Sequence, residues 1–282
     1  MAVCVSLINM KGGVGKTTLA SQIAWYAVMR LDKKVLLIDL DPQANASQSV
    51  MSPRVWVDHL NNGGLTIADI FEQFTPTGTA SESPRKINPL DAIYKRAEYK
   101  DGSLLHVVPS RLELSWTLRN PQDKDTLLQR FVKKVEDKYD LIILDCSPTD
   151  SILTDAAYRC SRYILVPIRA EFLASIGFPL LNRSIQAFQM RHEDKVIEVC
   201  GLVFNDFERG NQKREHKLAR KDVEDQATKY GWYVFKNDIP HSDSYFRAAR
   251  DGMPISRTKG AHGQVKDEFA AFANEFFPRI GL

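Results

Sequence analysis

What this sequence lacks narrows it before any motif is read. Only four of its 282 residues are cysteine: Cys4, Cys146, Cys160 and Cys200. They are widely spaced, form no C-x-x-C and sit in or beside apolar runs. They therefore read as reduced core thiols, not as a disulfide framework or a zinc site. No apolar run approaches the ~18 residues of a membrane span. The start carries no signal-peptide pattern, because Lys11 and a glycine-rich turn interrupt it too early. Excess charge is scarce too: 38 Lys and Arg against 35 Asp and Glu leave a net +3. Any nucleic-acid surface must then come from where the charges sit, not from their sum. No internal repeat is present. The expectation is a cytoplasmic α/β protein, one domain over residues 1–282, with enough apolar content (44%) for a substantial core.

What is present concentrates at residues 9–18, NMKGGVGKTT, directly after the apolar run Val3 to Ile8. A strand that ends in a glycine-rich turn and opens a helix points backbone N–H groups inward, and the helix dipole adds positive potential there. Gly12, Gly13 and Gly15 let the backbone approach phosphate oxygens, with Val14 between them. Lys16 would reach the β- and γ-phosphates, and the Thr17 hydroxyl, followed by Thr18, would ligate Mg²⁺. The loop departs from the usual pattern: Met10 stands where its first glycine belongs, and a second lysine, Lys11, follows.

Apolar runs of strand length recur at Val3–Ile8, Val35–Ile38, Leu104–Val108, Leu141–Leu144, Tyr163–Val166 and Val199–Phe204. Helical stretches at Thr17–Arg30, Gln122–Lys138 and Ile176–Met190 lie between many of them. This order predicts a doubly wound, mostly parallel sheet with helices on both faces. Thr75–Ser103 is rich in Pro, Thr, Ser, Gly and charge without sustained periodicity, and reads as a surface insertion or mobile loop. A last helix, Gly263 to Phe277, carries one apolar stripe of Val265, Phe269, Phe272, Ala273 and Phe276, with Pro278 as its stop.

Two acidic motifs close strands. LLIDLDPQ at Leu36–Gln43 sends Asp39 and Asp41 off a strand end, where ligands bind in open α/β sheets. LIILDCSP at Leu141–Pro148 ends a buried aliphatic run in Asp145, a position suited to a second Mg²⁺ arm. KGGVGKTT, LLIDLDPQ, YDLIILDCSP and LVPIRAEFLASIG (Leu165–Gly177), in this order, resemble the ParA/Soj partition ATPases, P-loop NTPases with a deviant Walker A loop, with MinD a cousin. The likeness extends to Ile239-Pro240 and Pro254-Ile255.

The resemblance implies a slow, partner-stimulated ATPase using ATP and Mg²⁺. ATP would drive a face-to-face homodimer in which Lys11 reaches the partner's nucleotide. By the same matching, Lys16 and Thr17 bind phosphate and Mg²⁺, Asp41 positions the attacking water, Asp39 supports the metal shell, and Asp145 holds Mg²⁺ through water. Asn205 and Pro240 are implied at the adenine. The implied partners are non-specific double-stranded DNA, hence nucleoid association when ATP-bound, and a ParB-like protein or cargo adaptor. Protein cargo of the carboxysome or chemoreceptor type is the variant. A MinD-like membrane cycle needs a basic amphipathic tail, and the chain ends Pro278-Arg279-Ile280-Gly281-Leu282; the expected partners include no membrane. A cluster-carrying ATPase would need cysteines meeting at the dimer axis. Two departures stand out: Ser147 replaces the family's proline after Asp145-Cys146, and His241-Ser242-Asp243-Ser244 follows Ile239-Pro240 where relatives carry basic residues.

For DNA, a helix over 211–230 would place Lys213, Arg214, Lys217, Arg220 and Lys221 within one arc of about 120° at ~100° per residue. Ala219, Val223, Ala227 and Tyr230 would form the neighbouring core arc. Arg247 and Arg250 add an i,i+3 pair. Glu215 and Glu224 dilute the patch, so an ordinary solvated face is the competing reading.

Overall fold

The computed structural model describes residues 1–72, 87–119, 124–171, 174, 176–207 and 214–282. The elements run β1 (Val3–Leu7), α1 (Lys16–Leu31), β2 (Lys34–Leu40), α2 (Asn45–Met51), α3 (Pro53–Asn61), α4 (Ile67–Phe71), β3 (Tyr94–Glu98) and β4 (Leu104–Val108). They continue α5 (Asp125–Val135), β5 (Leu141–Cys146), α6 (Ile152–Cys160), β6 (Tyr163–Ile168), α7 (Gly177–Arg191) and β7 (Glu198–Phe207). The last are α8 (Arg214–Tyr230), β8 (Ile239–Pro240), α9 (Asp243–Asp251) and α10 (Gly263–Arg279).

Among the described residues eight strands form one sheet in the order β3-β4-β2-β5-β1-β6-β7-β8, and of these only β3 runs antiparallel to its neighbour. The inner strands are mostly apolar because both faces are covered. Alternate residues along β1 and just past it show this directly: Cys4 and Ile8 enter one core with residues of α5, α6 and α7, while Val5 and Leu7 enter a second with α1 and α10. This is the doubly wound P-loop architecture expected from the alternation of runs.

Parallel pairing puts the carboxyl ends of every described strand but β3 on one side. β5 lies between β1 and β2, with Leu7 beside Asp145 and Asp39 beside Asp145 in register. The phosphate loop after β1 and both acidic strand ends therefore meet at one point of the sheet edge.

Three expectations change. The segment Thr75–Ser103 contains regular structure: a short 3₁₀ turn at Pro89–Ala92 and the edge strand β3. It shows no alternation because no residue of β3 is fully buried and its register shifts between Lys95 and Ala97. Charge and a bulge are common ways to blunt an edge; residues 73–86 lie outside the described residues. α10 runs one residue past Pro278, to Arg279, although its apolar stripe is buried as predicted. β2 extends to Leu40 and β7 to Phe207, so Asp39 and Asn205 stand inside strands, not beyond them. All four cysteines are free, and among the described residues no group of three His, Cys, Asp or Glu is arranged to hold a metal. No described helix is long and apolar enough to cross a membrane.

Candidate nucleotide site

The loop between β1 and α1 is shaped by its glycines. Gly13 (φ 73°) and Gly15 (φ 87°) occupy left-handed backbone, and Gly15 caps α1 with no side-chain partner. A Cβ on Gly15 would collide with Asn205 Nδ2. Asn205, buried on β7, donates that amide to the Val14 carbonyl at 2.9 Å and so clamps the loop from the far strand. On β8, Ile239 stands beside Asn205 in register and the buried Pro240 stands beside Phe207. Gly12 and Gly13 are exposed, leaving the loop surface accessible, while Thr18 is half-buried in the first turn of α1.

Lys16 is buried, and its Nζ donates to the Asn9 and Lys11 carbonyls at 3.2 and 3.4 Å, curling over the loop. Burial pulls its pKa down, and Asp145 pulls it back up. Thr17 Oγ1 donates to Asp145 Oδ2 at 2.7 Å. The other Asp145 oxygen, Oδ1, is buried and has no hydrogen-bond partner. Burial and the facing Asp39 push the Asp145 carboxyl well above the usual carboxylate range. A buried carboxylate oxygen without a donor, beside a threonine hydroxyl and a lysine, is a site short of one cation. These residues fit Mg²⁺: Thr17 and Asp145 supply hard oxygen donors, and oxygen sets of this kind leave room for water and phosphate.

Asp39 plays a different part. It is fully buried, and burial lifts its pKa to about 6. One oxygen accepts from the Asp41 amide at 3.1 Å, and the other from the Ser47 amide and hydroxyl at 2.8 and 2.6 Å. Both oxygens are thus spent on the following turn, which makes Asp39 a support for Asp41 and α2. Asp41 is half-buried, and its Oδ1 caps the Gln43 amide at 2.9 Å.

Lys11 lies against its own chain. Its Nζ donates to Glu171 Oε2 at 2.8 Å, and Arg169 shares the other oxygen of Glu171. Two contributors carried no role in the sequence. Asn9 joins β1 to β6 by donating to the Pro167 carbonyl at 2.8 Å while accepting the Lys11 amide at 2.9 Å. Ser47 links Asp39 to the Ser110 amide. The position of Asn9 at the first residue of the glycine-rich turn was its only signal; nothing local marks Ser47.

The basic residues split. Arg214, Lys217 and Lys221 are exposed on α8, and Lys213 lies outside the described residues. Arg220 does not join them: its guanidinium packs 4.3 Å over the Phe204 ring and pairs with Asp238 and Glu224. An arginine beside a carboxylate and an aromatic face stays with them in preference to solvent. Arg247 is likewise turned in, donating to Ser244 Oγ and the Gly260 carbonyl, each at 3.1 Å. Arg250 is exposed and pairs with Asp251.

A family model described as an AAA domain matches residues 2–198. The chain belongs to this family. Curated relatives place the AAA-domain chain in the ParA/MinD superfamily. The chromosome-partitioning ATPase Soj of Treponema pallidum is 28% identical over 253 residues, covering 88% of this chain and 87% of its own. The sporulation initiation inhibitor protein Soj of Bacillus subtilis is 26% identical over 267 residues, covering 93% and 94%. Among solved structures, apo McdA from Cyanothece has a TM-score of 0.77 at 19% identity, covering 98% of this chain and 100% of its own. Cobyrinic acid a,c-diamide synthase from Mycobacterium smegmatis, solved with a bound ATP analog and magnesium, has a TM-score of 0.72 at 20% identity, covering 97% and 93%. At these identities the structures share the fold.

Proposed function

We propose that this ParA/MinD-superfamily chain hydrolyses ATP slowly and dimerises face to face around two nucleotides. As a dimer it binds DNA without sequence preference, associates with the nucleoid, and positions a cargo through a ParB-like or adaptor partner. The observation that carries the reading is the convergence of Lys16, Thr17 and Asp145 under a glycine-rich loop, with Asp145 Oδ1 left without a donor. That a Mycobacterium smegmatis protein of the same fold is described with an ATP analog and magnesium supports the choice of ligands.

In this reading the loop amides and Lys16 bind the β- and γ-phosphates, and Thr17 and Asp145 hold Mg²⁺. The metal supplies positive charge against the phosphates when bound. Asp41, steadied by Asp39, orients the attacking water and takes its proton. Asn205 and Pro240 flank the base. Lys11 leaves Glu171 for the partner's phosphates, so dimerisation depends on the γ-phosphate and hydrolysis ends it. The exposed face of α8, through Arg214, Lys217 and Lys221, supplies phosphate contacts to DNA. Light scattering with ATP, ADP and a slowly hydrolysed analogue, with and without duplex DNA, tests the whole. A dimer with ATP or the analogue alone, joining DNA only then, supports it; a monomer in every state overturns it.

A further inference from the structure

The edge strand β3 carries a side chain that the nucleotide site does not use directly. Arg96 Nε donates to the Val50 carbonyl at 2.7 Å, in the last turn of α2. Its Nη2 donates to the Gly252 carbonyl at 2.8 Å, just past α9, and lies 3.7 Å from Met253 Sδ. The guanidinium sits 5.2 Å from the centre of the Trp25 ring on α1. One planar group therefore joins three helices that each start at the site: α1 after the phosphate loop, α2 after Asp39 and Asp41, and α9 after Pro240.

The joint beneath it is strained. Ser52, between α2 and α3, has φ 77° and ψ 148°. That region belongs essentially to glycine, and other residues occupy it only where their surroundings over-determine it. Gly252 presses on the joint: a Cβ there would lie 2.7 Å from the Ser52 amide nitrogen and 3.1 Å from the Val50 oxygen. Arg96 ties the two carbonyls together across that contact. At the other end of α2, Ser47 grips Asp39 through its amide and hydroxyl. Where α2 sits thus decides where Asp39 and Asp41 stand.

We propose that Arg96 is a positioning residue, a latch between the carboxyl ends of α2 and α9 that holds the strained Ser52 joint and, through Ser47, sets the Asp39–Asp41 turn. Its effect on turnover rests on the ATP-hydrolysis reading above; the latch itself does not. Arg96→Met keeps the aliphatic stem and removes the fork, Arg96→Lys keeps charge and loses the second arm, and Ser52→Gly removes the strain.

The test measures turnover, Mg·ATP affinity and amide hydrogen exchange over residues 45–57. In Arg96→Met, kcat falls about tenfold or more while Kd for Mg·ATP stays within about threefold, since a displaced turn costs the transition state more than the bound ground state. Exchange over 45–57 rises, and Ser52→Gly in the same chain restores both readouts. Arg96→Lys lies between, and carries the test if Arg96→Met does not fold. Wild-type kcat in a folded Arg96 variant overturns the proposal, as does a fall in kcat with unchanged exchange that Ser52→Gly fails to rescue. If the wild-type chain neither binds nor hydrolyses ATP, the nucleotide reading fails and exchange alone decides. A local rise reversed by Ser52→Gly then supports the latch, and unchanged exchange in the folded variant overturns it.

Discussion

Glu171→Gln is the most informative perturbation of the dimer hypothesis. Lys11 Nζ and Glu171 Oε2 are 2.8 Å apart, with side chains 42% and 38% exposed. The lysine holds the Glu171 carboxyl below the usual range. For Lys11 to reach a second nucleotide this pair must open first. Pairs exposed to this degree are worth about 0–1 kcal/mol after screening, and here Arg169 already shares the carboxylate. Glutamine keeps the shape and removes the charge, so the opening cost largely disappears. Each protomer opens one such pair, so a cost of about 0.5–1 kcal/mol per pair, doubled over the dimer, corresponds to an apparent dimer affinity about 5- to 30-fold tighter in the variant. Sedimentation equilibrium with a slowly hydrolysed ATP analogue, at low salt where the pair is strongest, measures it. The gain should shrink as salt rises. A weaker dimer in Glu171→Gln, or a Lys11→Ala chain that dimerises like wild type, would refute the reasoning.

Other expected outcomes separate structural from functional roles. Ser47→Ala removes a donor to Asp39 and an acceptor for Ser110, costing about 2–4 kcal/mol and lowering Tm by roughly 5–10 °C; an unmoved thermal midpoint contradicts the assignment. Arg220→Ala should destabilise by about 2 kcal/mol, by leaving the mostly buried Asp238 carboxylate unpaired, whereas Lys217→Glu with Lys221→Glu should leave Tm alone. That double change should weaken DNA binding and flatten its log–log salt slope by about 0.9 for each DNA phosphate no longer neutralised. His106 sits between Tyr139 and Glu98, and burial lowers its pKa below the ordinary 6.5. The unfolded chain then takes up the proton first as pH falls. The stability is complete above 6.5 and is lost as pH drops through the folded value, so the fall in Tm between neutral and mildly acidic pH should be shallower in His106→Gln.

The parts readable from sequence were those whose chemistry is local. Strand, glycine loop, Gly-Lys-Thr and helix lie within sixteen residues of one another, and a buried aliphatic run ending in Asp145 can go in few places in a parallel sheet. What escaped depends on contacts between distant segments. Glu171 meets Lys11 across 160 residues, and Asn205 clamps Val14 across 191. Arg220 lay in the basic arc by helical geometry, yet Asp238 and the Phe204 ring, both outside that helix, decide its direction. The edge strand β3 was hidden because pairing on one side only, with a bulge, leaves no period to read. Asp39 was expected beyond a strand ending at Ile38, and two further residues of strand put it inside β2, with both oxygens spent on the turn that follows.

The central claim is that the loop from Met10 to Thr18 takes up Mg·ATP through Lys16, Thr17 and Asp145. Calorimetric titration of Mg·ATP into the wild-type chain and into Lys16→Ala tests it most directly. The account predicts saturable binding at one site per chain in the wild type and none in the variant. Absence of binding in the wild type, or equal binding in both, would contradict it.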